Sequence, residues 1–202
     1  GIEFEEQARS EGFRFIAGVD EVGRGCLAGP VVAAACILDL TKALPKGLDD
    51  SKKLTAKRRD EIADQLKKET ITYAIGQIEA DEIDRINILR ASLLAMRRAV
   101  ESLKIVPHEA WIDGNMCPDL PCPARAIVDG NQCPRLQCPV HAIVKGDRDV
   151  LSISAASILA KTTRDALMHA LDTEYPGYGL AKHKGYPTPE HCEQLRLRGA
   201  SI

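Results

Sequence analysis

The sequence predicts an α/β fold in which a mixed five-stranded sheet is flanked by helices. The first apolar runs have the length of strands and are linked by short glycine-rich or helical connections, as in hairpins. The later runs are separated by long stretches with helical periodicity, which is typical of crossover connections. The longest apolar run, Val31 to Leu38, is far shorter than the ~20 residues that span a bilayer. We therefore expect no contact with a membrane.

The composition is that of a globular protein. The chain has 202 residues, of which 45% are hydrophobic and 28% charged, and its formal net charge is −2. Because this charge provides no general attraction to nucleic acid, any such binding needs a local concentration of basic groups. The acidic start is unlike a secretory signal, so we expect a cytoplasmic protein whose seven cysteines are free thiols.

The predicted elements follow from periodicity and capping residues. Thr55 is a suitable N-cap for the second helical segment, and Thr188, Pro189 and Gly199 bracket the last one. Apolar residues every three or four positions predict one long helix over 80–103. In chain order, the strands are predicted at 13–20, 31–38, 71–75, 110–112 and 142–144, and the helices at 55–69, 80–103, 152–172 and 188–199.

A tandem repeat with a period of 16 residues occupies 113–144. Residues 113–128 and 129–144 both begin with Asp-Gly-Asn and end with Ala-Ile-Val. Two copies are too few for a solenoid, so we interpret the repeat as the duplication of a loop and a strand. Its four cysteines, at 117, 122, 133 and 138, are spaced in a way that permits a zinc site, but duplication explains their pattern without a metal.

Carboxylates stand at the ends of three predicted strands. Asp20 and Glu21 end the first, and Asp113 and Asp147 each follow a later apolar run. Clustered carboxylates would hold Mg²⁺ or Mn²⁺, although each aspartate by itself also suits a simple turn. Because successive strand residues point to opposite faces, we expect the first strand to end or bulge at Glu21.

A glycine-rich segment, 23–30, follows the first strand and predicts a structured turn. Its spacing resembles a dinucleotide-binding loop, but Pro30 and a strand-like run follow where that motif needs a helix. Glycines would instead allow a sugar to approach the backbone. Basic residues are concentrated around the predicted helix start at Thr55, where free amides also favour a phosphate, and at 182–187 around Tyr186.

Taken together, the motifs resemble those of bacterial ribonuclease HII, the type 2 ribonuclease H. The matching segments are Ala17-Gly-Val-Asp-Glu-Val-Gly-Arg-Gly25, Leu27-Ala-Gly-Pro-Val31, Asp50-Ser-Lys-Lys-Leu54, Ile112-Asp-Gly-Asn115, Ala142-Ile-Val-Lys-Gly-Asp147, 154–165 and 175–188. The resemblance implies an RNase H-like catalytic domain over 1–172, which contains the repeat, and a small C-terminal helical extension over 173–202.

The resemblance also implies an activity and a set of site residues. The expected activity is hydrolysis of RNA in RNA·DNA hybrids, and cleavage on the 5′ side of single ribonucleotides in duplex DNA, by a monomer that uses two Mg²⁺ or Mn²⁺ ions. Asp20, Glu21, Asp113 and Asp147 would be the catalytic metal ligands. Residues expected to bind substrate are Gly23, Arg24 and Gly25, which would recognise the ribose 2′-hydroxyl, Ser51, Lys52 and Lys53, and Tyr186, which would stack beside the RNA–DNA junction.

The repeat leaves the third carboxylate open between Asp113 and Asp129. Using Asp113 keeps Trp111 and Ile112 in the sheet, whereas using Asp129 would expel them at about 1.5–3 kcal/mol per large side chain. This favours Asp113, although Asp129 lies closer in sequence to Asp147. The competing interpretation is a hybrid-binding protein whose catalysis the duplication has impaired.

Overall fold

The computed structural model describes residues 2–48, 53–129, 140–143 and 150–200, with the backbone alone at 128–129 and 140–143. Its strands are β1 (Ile16–Val22), β2 (Val31–Ile37), β3 (Thr72–Ile78), β4 (Glu109–Asp113), β5 (Ala124–Asp129) and β6 (Val140–Ile143). Its helices are α1 (Glu3–Ser10), α2 (Ala56–Glu69), α3 (Ala80–Ile86), α4 (Ile88–Glu101), α5 (Leu151–Glu174), α6 (Leu180–His183) and α7 (Pro189–Arg198).

The strands form one mixed sheet in the order β3-β2-β1-β4-β5-β6. The pairs β3-β2 and β2-β1 are antiparallel, and β1, β4, β5 and β6 run parallel. The expected fold class is confirmed, with one strand more than the five anticipated. The additional strand comes from the repeat, because the end of its first copy forms β5 and the end of its second copy forms β6.

Helices cover both faces of the sheet. On one face α4 packs so closely on β3 that a Cβ atom at Gly76 would lie 2.0 Å from the Ala95 carbonyl oxygen. On the other face, beside α2, α5 contacts β1, and a Cβ atom at Gly18 would lie 2.0 Å from the Ser152 carbonyl carbon. Both glycines therefore allow a helix to approach the sheet where any side chain would clash.

The prediction of a single helix over 80–103 is wrong, because the helix is interrupted at Asn87. This residue has φ +72°, and its side-chain oxygen accepts a hydrogen bond from the Arg90 amide at 3.0 Å. Asn87 thus ends α3 and caps α4. The apolar spacing continues across the break, which explains why periodicity alone did not reveal it.

The expected end or bulge of the first strand at Glu21 is also wrong. The pairing between β1 and β2 runs without interruption through Asp20–Ala34, Glu21–Ala33 and Val22–Val32. Since β2 is fully buried and continuous, it pairs with β1 from Ala17 to Val22.

The capping predictions are confirmed at two helices. Thr55 accepts a hydrogen bond from the Arg58 amide at the start of α2, and Thr188 does the same for the His191 amide at the start of α7. Within the described residues, no helix combines the length and apolar character needed to cross a membrane. The division expected at residue 172 stays a prediction, and α5 itself extends to Glu174.

The N-terminal helix, which the sequence analysis did not predict, is fastened to α5 through Glu5. The buried Glu5 carboxylate accepts hydrogen bonds from the amide and hydroxyl of Ser152, at 2.9 and 3.0 Å. Burial raises the pKa of Glu5 above its ordinary value, although the hydrogen bonds from Ser152 lower it in part. The folded state therefore keeps a proton on Glu5 at a pH where the unfolded chain has lost it.

This shift predicts a pH-dependent contribution of Glu5 to stability. The contribution is complete below the ordinary pKa of 4.5 and is lost as the pH rises through the higher folded-state pKa. The substitution Glu5→Gln retains an oxygen acceptor and removes the titration. Measured by chemical unfolding across this pH range, it should flatten the decline in the free energy of unfolding.

Glu6→Gln is the matched control, since Glu6 is exposed on the same helix. It should decline with pH as the unmodified protein does. An equally steep decline in the Glu5→Gln variant would contradict the assignment.

Candidate active site

Two aspartates come together where β1 and β4 run side by side. The parallel register pairs Val19 with Ile112, so Asp20 and Asp113 occupy the next positions on neighbouring strands. Side chains two positions apart on a strand share a face, so Asp20 lies on the face of Gly18 and Asp113 on that of Trp111. Gly18 and Trp111 both face α5. Asp20 and Asp113 therefore lie on the same face of the sheet.

Glu21 adds a third carboxylate to this edge. Its amide donates to Asp20 Oδ1 at 2.8 Å, and its carboxylate lies 3.9 Å from the Arg24 guanidinium. Burial raises the pKa of Glu21, and the negative charge of Asp113 raises it further, whereas Arg24 lowers it. The carboxylates of Glu21 and Asp113 thus repel each other, and a cation between them would relieve the repulsion.

The chemistry of these donors fits a hard divalent cation, because all three side chains offer oxygen ligands. Within the described ranges, however, no three histidine, cysteine or acidic side chains converge closely enough to hold an ion by themselves. If a cation binds here, Asp20, Glu21 and Asp113 would supply part of its ligands, and a further ligand or a small side-chain movement would complete the site.

Several predicted site residues fall outside the described structure. Asp147, Ser51 and Lys52 lie outside the described residues, and Asp129 is described by its backbone alone. Lys53 is described and its side chain is exposed, just before α2. The expected third carboxylate, Asp113, does end a strand whose residues Trp111 and Ile112 are buried in the sheet.

The glycine-rich loop between β1 and β2 is a structured turn, as predicted. Gly23 and Gly29 have φ values of +101° and +86°, which favour glycine. Gly25 is exposed, with nothing within 4 Å of the position of a Cβ atom, so its backbone is open to a ligand. The dinucleotide-binding interpretation does not fit, because the loop leads into β2 and not into a helix.

Arg164 on α5 connects this loop to the C-terminal segment. Its fully buried guanidinium donates hydrogen bonds to three carbonyl oxygens, those of Pro30 at 2.9 Å, Ala28 at 3.0 Å and Lys184 at 2.6 Å. Gly185 also accepts a hydrogen bond from the Leu27 amide at 2.8 Å. The loop and the segment are therefore fixed relative to each other.

Tyr186 follows directly in that segment and is 38% exposed. Its carbonyl accepts hydrogen bonds from the Thr188 amide at 2.8 Å and is 2.9 Å from His191 Nδ1. His191 in turn stacks on His183, with ring centroids 4.1 Å apart. The backbone of Tyr186 is thus held from the C-terminal side while its ring remains accessible.

A cavity of about 320 Å³ lies between Glu21 and the Tyr186 ring. Glu21 and Val22 line it from β1, Ser157, Ile158 and Lys161 from α5, and Arg59 from α2. Lys161 Nζ lies 6.0 Å from the centre of the Tyr186 ring. This cavity joins the acidic edge of the sheet to a basic and aromatic wall.

Sequence analysis missed Arg164 as a functional candidate, and gave no role to Lys161. Both belong to the 154–165 segment quoted for the family resemblance, which was the only available signal. Arg164 contacts residues 134 and 136 positions earlier in the chain, so no local pattern reveals its partners.

The cysteines correct one expectation. Cys26, Cys36, Cys122 and Cys192 are free thiols, as expected, whereas Cys117 is disulfide-bonded. Free thiols were inferred from the expected compartment and not from contacts, and that inference is wrong for Cys117. The zinc hypothesis also depended on residues 133 and 138, which lie outside the described residues; among those described, no metal-binding group forms.

Known proteins resemble this chain in both sequence and fold. The chain is 50% identical over 190 residues to the ribonuclease HII of Azoarcus sp. (strain BH72), covering 94% of this chain and 85% of that protein. The crystal structure of ribonuclease H2 from Pyrococcus horikoshii OT3 is 27% identical, with a TM-score of 0.69 and coverage of 93% and 90% of the two chains.

A second solved structure supports the fold alone. Bst-RNase HIII, solved in complex with Mn²⁺, is 23% identical with a TM-score of 0.63, and the match covers 92% of this chain and 63% of that one.

The family model for ribonuclease HII matches residues 17–201. With this match and the 50% identity, the chain belongs to the ribonuclease HII family, metal-dependent hydrolases that cleave the RNA strand of RNA·DNA hybrids.

Proposed function

We propose that this protein also cleaves on the 5′ side of single ribonucleotides embedded in duplex DNA, leaving a 3′-hydroxyl and a 5′-phosphate. The observation that carries the proposal is the fixed spacing between two elements, the exposed Gly25 backbone and the Tyr186 ring, on either side of Arg164. Gly23, Arg24 and Gly25 would recognise the 2′-hydroxyl that distinguishes RNA from DNA. Tyr186 would stack beside the junction.

Two Mg²⁺ or Mn²⁺ ions, when bound, would supply an activated water molecule and stabilisation of the leaving oxygen. Asp20, Glu21 and Asp113 would hold them, with Asp147 as the fourth ligand by family resemblance. Burial and, to a smaller extent, the negative charge of Asp113 raise the pKa of Glu21, and the closeness of these two carboxylates supports a cation here. Lys53, with Ser51 and Lys52, would bind the nucleic-acid backbone near the start of α2.

The sheet register favours Asp113 over Asp129 as the third carboxylate. Asp113 pairs with Ile127 of β5, so Asp129 lies two residues farther along and one strand farther from β1. At roughly 4.8 Å between strands and 3.3 Å per residue, its backbone is about 12 Å from that of Asp20. Asp113 is the immediate neighbour of Asp20.

A monomer acting in the cytoplasm completes the proposal. The four free thiols at Cys26, Cys36, Cys122 and Cys192 are typical of a reducing compartment, whereas the disulfide at Cys117 is not.

The first test compares aspartate-to-asparagine substitutions at 113, 129 and 147. Asp113→Asn and Asp147→Asn should each abolish Mn²⁺-dependent cleavage of a duplex carrying one ribonucleotide, because several anionic ligands are needed to hold two cations. Asp129→Asn should retain activity. Thermal unfolding serves as the control for global damage.

Each alternative outcome has a distinct meaning. Loss of activity in Asp129→Asn with full activity in Asp147→Asn would assign the fourth ligand to β5. Loss in Asp129→Asn with activity retained in Asp113→Asn would show that the second repeat copy supplies the third ligand. An unmodified protein that binds the hybrid without cleaving it would support the binding-protein alternative.

Tyr186 should matter more for a junction than for a continuous hybrid. Tyr186→Ala removes the stacking ring, which is worth ~1–3 kcal/mol per stacked base, or about 5- to 150-fold in binding. Its loss in kcat/KM should be larger on a duplex with one ribonucleotide than on an RNA·DNA hybrid, and Tyr186→Phe should retain the preference. Equal losses on both substrates would contradict recognition of the junction by this ring.

Arg164 should act as a positioning residue for the same selection. Lysine keeps the charge but lacks the planar fork that reaches three separate carbonyls. We therefore expect Arg164→Lys to lower the thermal stability and also to reduce the preference for the junction substrate, measured at a temperature where the variant is folded. A destabilised variant with the original preference would limit Arg164 to stability alone.

A further inference from the structure

The cavity between Glu21 and Tyr186 contains a cation pair that the proposed cleavage mechanism leaves without a function. Lys161 Nζ lies 2.7 Å from Asp165 Oδ1, and Arg59 Nη1 lies 3.5 Å from Asp165 Oδ2. One carboxylate is thus shared by two cations, which leaves one positive charge in excess in this cluster.

These groups are only partly accessible, which makes their charge effective. The side chains of Lys161, Arg59 and Asp165 are 29%, 18% and 21% exposed, and the first two line the 320 Å³ cavity directly. Partly buried charges are screened by salt less than fully exposed ones. An anion in the cavity would therefore interact strongly with this cluster.

The cluster also has hydrogen-bond donors to spare. Lysine carries three N–H donors, and in the described part of the chain Lys161 uses one on Asp165. Arg59 donates from Nη2 to the Leu54 carbonyl at 3.2 Å and from Nη1 to Asp165, out of five donors. Ser157, one helical turn before Lys161, adds a hydroxyl to the same wall.

The position of the cavity indicates which anion it would hold. It opens between a metal-site carboxylate and a ring that would stack on the substrate, so a nucleic-acid strand touching both must pass it. Phosphates recur along a strand at each nucleotide, and they are the anions that such a strand presents. The chain as a whole, at net charge −2, does not provide that attraction.

We propose that Arg59 and Lys161 form a binding site for one backbone phosphodiester of the nucleic-acid substrate. The proposal rests on the proposed function, because it places the phosphate on a strand that contacts both Glu21 and Tyr186. Asp165 holds the side chains of Arg59 and Lys161 at the cavity wall. Lys161 also lies close to the Tyr186 ring, so the phosphate would be bound beside the stacked base. The site gives affinity and register but no selection between RNA and DNA.

The salt dependence of binding tests this directly. An RNA·DNA hybrid is titrated in the presence of a chelator, so that no cleavage occurs, and its affinity is measured by fluorescence anisotropy over a range of KCl concentrations. In the double variant Arg59→Met/Lys161→Met, the slope of log K against log[KCl] should become shallower by about 0.9, the value for one duplex phosphate. Lys161→Met alone should give part of this change, and Lys161→Arg should restore the original slope.

Lys67→Met is the matched control. Lys67 pairs with Asp64 at 3.5 Å on α2, an ion pair like that of Lys161 and Asp165 but away from the cavity. Its loss should leave the slope unchanged. If the folded double and single variants keep the original slope, Arg59 and Lys161 do not bind a phosphate. Their ion pairs with Asp165 would then serve only to connect α2 to α5.

Failure of the proposed function is seen in a separate measurement. If the unmodified protein with Mn²⁺ does not cleave a single-ribonucleotide duplex, the proposed function fails. The slope comparison, which uses no metal and no cleavage, still decides whether Arg59 and Lys161 contact a phosphate.

Discussion

The buried guanidinium of Arg164 holds together the glycine-rich loop after β1 and the C-terminal segment that leads to Tyr186. Its three acceptors are backbone carbonyls, two from the loop after β1 and one from the segment before Tyr186. Hydrogen bonds to a charged group contribute about 1.5–3 kcal/mol each, which offsets the cost of removing that charge from water. Because no side chain can occupy the space between Arg164 and Gly23, where a Cβ atom would lie 2.5 Å from Nε, the loop is packed directly against the guanidinium. The glycines of this loop thus have two separate tasks, close packing at Gly23 and accessibility at Gly25.

The surface around the cavity between Glu21 and Tyr186 has two sides with different physical origins. On one side, the strand register brings Asp20 beside Asp113, and Glu21 adds a third carboxylate to the same end of these strands. On the other side, side chains from α2 and α5 provide positive charge around Tyr186. In the proposed function, divalent cations would neutralise the first side and the phosphates of a polyanion the second. A chain with a slightly negative net charge would thereby attract nucleic acid locally.

Sequence patterns predicted the features that depend on local chemistry. Thr55 and Thr188 were identified as helix caps because each hydroxyl accepts a hydrogen bond from an amide only three residues later in the chain. Strand ends likewise indicated Asp20 and Asp113 as neighbours, since parallel strands bring their carboxyl ends to one edge. What the patterns missed depends on tertiary contacts. The N-terminal helix is held by Glu5 against Ser152, far along the chain, and Arg164 binds carbonyls that no periodicity connects to it. The break at Asn87 is a local signal that the stronger apolar periodicity concealed.

The repeat shows which insertions a sheet can accept. The pairings of β4 with β5 and of β5 with β6 both join residues fourteen positions apart, whereas the repeat period is sixteen. The difference of two residues is even, so each copied residue returns to the same face of the sheet, displaced diagonally by one strand and about 6.6 Å along it. A period of fifteen or seventeen with the same pairing would have turned every apolar residue of the copy towards the wrong side. With the pairing offset held at fourteen, a further repeat unit would keep its faces only if its period were even, and its aspartate would then lie farther from Asp113 along the same diagonal.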